Sequence, residues 1–263
     1  MLLENKTAVI YGAGGDVGGA IARAFARQGA KLFLSGRTLR KVKAVAADIV
    51  AGGGFAEAEE VDALDERAVE EYVGAVAEKA GAIDVSFCAI GVSNQLPQKA
   101  PLLELSAEHF DLPIRAYTRA NFLTARSAAR RMVTRRSGVI LTLTATPSRL
   151  AIPHVGGGSA AYAALVGLSR TLSVELAPQG VRVVCLMPNA LPETETIRKN
   201  FALFAKTAGI TPADFLGRMA STTHLGRLST LGELAEAAVF VASDHASGMT
   251  GTVLNLSGGG VAD

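Results

Sequence analysis

The stretch that most constrains this chain is Val9–Gly19, VIYGAGGDVGG. An apolar run, Thr7–Tyr11, stops abruptly at glycines, and an apolar helical pattern begins at Val17. That order predicts a buried strand, a tight turn and a helix N-terminus in immediate succession. Gly12, Gly14 and Gly15 permit φ > 0 and let a ligand approach the backbone closely. The open N–H groups and dipole of the following helix favour a phosphate. The Gly12–Gly14 spacing opens a dinucleotide fingerprint, but its third glycine falls on Val17, with Gly18 one place late. On its own the cluster fits a phosphate-binding loop and a structural βα turn equally well.

The remainder of the chain alternates in the same way. Strands are predicted at Thr7–Tyr11, Lys31–Ser35, Ala56–Val61, Asp84–Ala89, Val139–Leu143, Arg182–Met187 and Thr252–Leu256. Between them lie helical patterns at Val17–Gln28, Leu39–Ala51, Glu66–Ala80, Ala107–Val133, Ser159–Ala177 and Leu231–Ala242. In the first, Val17, Ile21 and Phe25 share one face. Asp16 is expected to cap that helix, and Pro113 to kink or interrupt the long fourth one. Repeated βαβ units imply an α/β fold, a doubly wound parallel sheet of about seven strands with helices on both faces. Ligand is expected at the carboxyl ends of those strands. Residues 190–225 break the rhythm with Pro192, Phe201, Phe204, Pro212 and Phe215, and read as a lid-like insertion or a surface helical hairpin.

A chain of 263 residues, 49% hydrophobic, is long enough for one sizeable core, and no linker divides it. Its net charge of +2, with both signs interspersed, gives no footprint for nucleic acid or an anionic membrane surface. Arg130, Arg131, Arg135 and Arg136 are expected to form a solvated helix end. With no leader-like apolar stretch and no spanning segment, the expectation is a soluble cytoplasmic protein. Cys88 and Cys185 fall in separate strands without metal-ligand spacing, and read as buried thiols in a reducing compartment. No metal site is expected.

The chain resembles the short-chain dehydrogenase/reductase family, single-domain Rossmann oxidoreductases, over nearly all of 1–263. The family's TGxxxGxG appears as Tyr11-Gly12-Ala13-Gly14-Gly15-Asp16-Val17-Gly18. Asp62 in VDALD stands where the family has an adenine-contacting aspartate, and Ile83-Asp84-Val85 opens the fourth strand. Gly167–Val183 (GLSRTLSVELAPQGVRV), Leu225-Gly226-Arg227, Ala242-Ser243-Asp244 and Gly258-Gly259 continue the match. The resemblance implies a bound dinucleotide, held by Gly12, Gly14, Gly15, Asp16, Val17, Arg37, Asp62, Gly91 and Pro188. It also implies a small-molecule substrate and assembly as a homodimer or homotetramer through the fourth and fifth helices.

Cofactor preference follows from charge. NAD sites place an acid at the end of the second strand for the ribose hydroxyls. Here the strand ends Leu34-Ser35-Gly36-Arg37-Thr38, with no carboxylate before Asp48. Arg37 can pair with a 2′-phosphate that an acid would repel, so NADP (NADPH) is expected.

The family's acid–base residues are an asparagine, a serine, a tyrosine and a lysine. Leu105–Tyr117 and Phe122–Met132 match the runs into and out of the asparagine, which places Tyr117 there, with Asn121 one turn later. Counting from Gly138 puts Ala145 at the serine, and counting back from Gly167 puts Gly158 and Tyr162 at the tyrosine and lysine. All four positions are changed. The NNAG after the fourth strand reads Cys88-Ala89-Ile90-Gly91, and the later PG reads Pro188-Asn189. Asp16, in place of the loop's middle glycine, is expected to turn away as a helix cap. Tyr162, Tyr117 and Thr144 are the candidate substitutes, with Thr146, Ser159 and His154 nearby in sequence. A tyrosine without a neighbouring cation keeps a pKa near ~10 and donates protons poorly at neutral pH. The glycines Gly156–Gly158 are expected to leave an emptied volume. Three functions fit: an atypical NADP(H)-dependent oxidoreductase on a partly hydrophobic substrate, a non-catalytic NADP(H)-binding sensor or companion subunit, and a non-redox lyase, isomerase or cyclase.

Overall fold

The computed structural model describes residues 1–92 and 100–262. Seven strands form one parallel sheet: β1 (Thr7–Tyr11), β2 (Lys31–Gly36), β3 (Phe55–Glu60), β4 (Val85–Cys88), β5 (Gly138–Leu143), β6 (Val181–Pro188) and β7 (Val253–Leu256). Their order is β3-β2-β1-β4-β5-β6-β7. All seven predicted strands are present, β1 with the predicted bounds and the others with no end shifted by more than one residue. Even β3, whose three glutamates argued against it, pairs in register with β2 from Lys31↔Phe55 to Gly36↔Glu60. It is an edge strand, where charge is tolerated and guards against further pairing.

The strand pleat divides the core in two. Ala8, Ile10, Leu32 and Leu34 pack on one face against α1 (Asp16–Arg27), α2 (Leu39–Ala51) and α8 (Leu231–Ala242). Val9, Tyr11, Phe33 and Ile140 point the other way, towards α3 (Glu66–Ala80) and α4 (Ala107–Arg135). The opposite face of the sheet is completed by α5 (Gly157–Leu176), which contributes Leu172 and Leu176 to that cluster. Because β4 returns to the far side of β1, strand order reverses between them. In such sheets the crevice at that reversal is the place for a ligand.

One sequence expectation is corrected in part here: Pro113 does not interrupt its helix, since α4 runs from Ala107 to Arg135 with the proline buried inside it. Twenty-nine residues with a buried small-residue face are enough to carry helix past one lost hydrogen bond. The basic run at the end of α4 is exposed, as expected of a solvated helix end, and three of its arginines carry surface contacts. Arg130 pairs with Glu70 at 2.8 Å, Arg135 with Asp84 at 3.2 Å, and Arg136 donates to the Pro178 carbonyl at 2.8 Å. Asp84 in turn accepts the Thr7 N–H, so this corner staples the starts of β1 and β4.

Residues 190–225 form two short helices, α6 (Glu195–Thr207) and α7 (Pro212–Ser221). Each start is chemically marked: Thr194 caps α6, and Thr211 with Asp214 makes a capping box ahead of Pro212. Phe215 of α7 meets Phe201 and Phe204 of α6 at 5.2 and 5.8 Å between ring centroids. Both cysteines are buried and unpaired, and no helix among the described residues is long and apolar enough to cross a membrane.

Candidate active site

The turn from β1 into α1 is folded so tightly that three of its glycines, Gly12, Gly14 and Gly18, have no room for a side chain. Gly12 has φ +72°, and a Cβ on it would lie 2.7 Å from the Ala89 carbonyl oxygen at the end of β4. A Cβ on Gly18 would lie 2.5 Å from the Gly12 carbonyl oxygen. Gly14 is closed by Lys41 Cβ, 2.8 Å away. The loop is thus pressed against β4 and α2, while Gly15 is exposed and its built Cβ meets nothing nearer than 3.4 Å. Backbone N–H groups at the head of α1 are left to face outwards, which is the arrangement a pyrophosphate needs.

A cleft of about 710 Å³ opens from this loop across the carboxyl ends of β1, β2 and β4. Gly12, Gly14, Gly15, Arg37, Asp62 and Gly91 line it, six of the nine residues expected to hold a cofactor. Arg37 follows β2, exposed to solvent, and Asp48 is turned away in a 2.6 Å ion pair with Arg23. Asp62 accepts the Leu64 N–H at 3.0 Å and shapes the wall formed by Val61 and Ala63. The other three lie off the cleft wall. Val17 packs on the core, Pro188 is buried at the end of β6 opposite Leu256, and Asp16 makes a different contact.

That contact corrects the expectation for Asp16. The residue that caps α1 is Gly15, with no side-chain cap bond, and Asp16 is the helix's first residue. Its Oδ2 instead accepts the backbone N–H of Glu195, 2.6 Å away at the start of α6. A carboxylate at the first helical position projects outward from the helix, and the start of α6 lies where it projects.

Further along the cleft, Val92 N–H donates to the Tyr117 hydroxyl at 3.4 Å. Val92 and Ala116, the residue before Tyr117 on α4, both border the cleft. The Tyr117 ring stacks on Tyr162 of α5 at 5.6 Å between centroids and 29° between planes. The electrostatic influence of Tyr117, then burial, then a hydrogen bond to Tyr117 hold the Tyr162 phenol well above its ordinary pKa. Tyr162 is therefore held as a neutral phenol and is not a ready proton donor. Thr144, the third candidate, is buried, and its Oγ1 donates to the Tyr162 carbonyl at 2.9 Å. It braces α5 against the end of β5.

With the geometry in view, likeness to known proteins is informative. Residues 12–260 match the family profile described as Enoyl-(Acyl carrier protein) reductase. An uncharacterized oxidoreductase of Bacillus subtilis, YxbG, is 30% identical over 257 residues, 98% of this chain and 91% of the relative. The (+)-cis,trans-nepetalactol synthase NEPS2 of Nepeta racemosa is 31% identical over 261 residues, 98% of this chain and 94% of the relative. A crystal structure of a putative NAD(P)-dependent gluconate 5-dehydrogenase from Beutenbergia cavernae, with NADP bound at low occupancy, superposes with a TM-score of 0.85. It is 32% identical and covers 98% of this chain and 97% of that one. The chain belongs to the short-chain dehydrogenase/reductase family.

Within that family its departures acquire structural reasons. Asn189, at the glycine position after Pro188, is buried and donates to the Ser257 carbonyl at 2.8 Å while accepting the Ser229 N–H at 2.9 Å. It pins three chain segments together. The emptied volume expected at Gly158 is partly taken up: a Cβ there would stand 3.1 Å from Val155 Cγ1 and 3.8 Å from the Tyr162 ring. Gly157 has another task, since its built Cβ would lie 1.9 Å from the Phe110 carbonyl oxygen of α4. His154 and Gly156, just before α5, both have positive φ, at 60° and 58°. No group of acidic, histidine or cysteine side chains among the described residues could hold a metal ion.

The cleft also contains residues that sequence reasoning passed over: Thr38, Lys41, Glu195, Thr196 and Lys199. Lys41 was legible as the first turn after β2. Glu195 and Lys199 carried one signal, the i,i+4 spacing of opposite charges, now a 2.5 Å ion pair.

Proposed function

We propose that this protein is an NADP(H)-dependent oxidoreductase acting on a small, partly hydrophobic molecule. The observation that carries the reading is the cleft at the β1/β4 reversal, with the glycine loop at one end and Arg37 on its wall, no carboxylate following β2 in the chain before Asp48. The loop admits the pyrophosphate to backbone N–H groups, and Arg37 pairs with the 2′-phosphate. NADPH, when bound, supplies a hydride. The chain's own part at the reacting end is the Tyr117–Tyr162 pair, which offers a neutral hydroxyl to a substrate oxygen. Tyr117 is oriented for this by Val92 N–H, and Tyr162 through the Thr144 bond to its carbonyl. Without a lysine beside the phenols, solvent delivers the proton, which suits an activated double bond better than a ketone.

Calorimetric titration with NADPH and NADH, followed by NADPH oxidation over carbonyl and enoyl substrates, tests the reading. Binding of NADPH in preference to NADH with turnover that falls in Tyr162→Phe supports it. No binding of either nucleotide refutes it. Binding without turnover on any substrate favours the sensor or companion-subunit reading. The similarity to a nepetalactol synthase, with the changed catalytic positions, favours a non-redox cyclase as the second reading. Conversion of substrate without nucleotide would select it. Phe122 on α4 and Val174 on α5, both partly exposed apolar side chains, support assembly as a homodimer or homotetramer, which sedimentation measures.

A further inference from the structure

Asp16 does something that a glycine at its position cannot. The bond from Glu195 N–H to its Oδ2 spans 179 residues of sequence and joins the first turn of α1 to the first turn of α6. Thr194 Oγ1 accepts the Ile197 N–H of the same turn at 3.3 Å. One local and one remote side chain therefore satisfy two of the N–H groups that a helix start leaves open. The positive end of the α6 dipole further stabilises the carboxylate. The turns so anchored are those that bring Glu195, Thr196 and Lys199 to the cleft wall, facing Gly12, Gly14 and Gly15.

We infer that Asp16 is a positioning residue: it docks α6 onto the glycine loop, holding Thr196 and Lys199 at the phosphate end of the cleft before a nucleotide arrives. The ligand in this statement rests on the NADP(H) reading above, whereas the docking does not. A nucleotide that needs α6 in place binds in proportion to the fraction of molecules in which it is docked. The Asp16 carboxylate is engaged by α6, and in this role its acceptor oxygen matters more than its charge. Asparagine ranks with aspartate as a helix cap, so Asp16→Asn preserves the acceptor and removes the charge, while Asp16→Ala removes both.

Hydrogen–deuterium exchange of the nucleotide-free wild type and both variants, with an NADPH titration of each, makes the test. In Asp16→Ala the peptide at the start of α6 should exchange about five-fold faster, as expected for loss of a cap, and NADPH affinity should fall in proportion to the docked fraction that the protection factor shows to be lost. Asp16→Asn should stay within about two-fold of wild type in both. Unchanged exchange in Asp16→Ala overturns the docking. A measured loss of docked fraction without the matching loss of affinity, or tighter NADPH binding in both variants, overturns the positioning role, the latter making the carboxylate a repulsive charge. If the wild type binds no NADPH, the cofactor reading and the positioning of its phosphate fail together, and the exchange data still decide the docking.

Discussion

Two adjacent glycines at the start of α5 should respond to the same substitution in opposite ways. A methyl group on Gly157 would meet the Phe110 carbonyl oxygen at 1.9 Å and Pro113 Cγ at 3.1 Å. The first neighbour is backbone in the middle of a helix turn, so it cannot rotate aside, and α4 and α5 must separate by more than an ångström. Overpacking of this kind costs about 1–3 kcal/mol, and the small gain from alanine's better helix propensity at a first-turn position does not offset it. Taking about 2 kcal/mol, and about 2–4 °C per kcal/mol for a chain of this size, Gly157→Ala should lower Tm by about 4–8 °C. At Gly158 the nearest atoms belong to flexible side chains, Val155 Cγ1 at 3.1 Å and Tyr162 Cε2 at 3.8 Å. There the reduced entropy of the unfolded chain is worth about 0.4–1 kcal/mol and roughly balances the displacement of Val155, leaving Tm within about 3 °C of wild type. Thermal melts followed by far-UV circular dichroism measure both. Equal losses in the two variants, or a Gly157→Ala melt indistinguishable from wild type, would refute the reasoning that close helix approach is the reason for Gly157.

Arg37→Ala should weaken NADPH binding by about 10–100-fold, the worth of a charge-assisted bond of about 1.5–3 kcal/mol, and leave NADH nearly unchanged in the same calorimetric titration. Tyr162→Phe should reduce turnover while preserving nucleotide affinity, because the ring stack on Tyr117 survives the loss of the hydroxyl. Alkaline stability should report the buried acids. Burial pushes the Cys88 thiol from 9.0 up to about 11, and burial, before the influence of Tyr72, likewise raises Tyr11. A raised pKa in the folded state means that stability is complete below the unfolded-state value and is lost as pH climbs towards the folded one. The Cys88 contribution should therefore decline between pH 9 and about 11, by up to about 1.4 kcal/mol per pH unit. Urea midpoints across that range should flatten in Cys88→Ala, and an unchanged slope would count against a neutral buried thiol.

The residues legible in sequence were those whose role is local. The inner strands were readable because a parallel strand covered on both faces must be apolar along its length, and α2, α3 and α8 even ended where periodicity put them. Arg37, Gly12, Gly14, Gly15, Asp62 and Gly91 were readable as cleft residues because the end of a strand fixes where the next loop lies. The bond from Thr144 to the Tyr162 carbonyl was not legible, since nothing local tells whether a strand-end threonine faces a cleft or braces a helix. Gly157 and Gly158 looked alike for the same reason, and only the approach of α4 separates them.

Asp16 marks the boundary between the two kinds of information. By itself the chain determined that a strand, a glycine turn and a helix stand in immediate succession, the setting in which a helix N-terminus favours a phosphate. Whether the Asp16 carboxylate turns to its own helix or to another was decided by tertiary structure, because the start of α6 lies 179 residues away and contributes an open N–H. The Tyr117–Tyr162 stack is of the same kind, set by the closeness of two helices that Gly157 permits. Short-range sterics and periodicity are written residue by residue, whereas the partner of a polar side chain depends on which open donor the fold brings within about 3 Å.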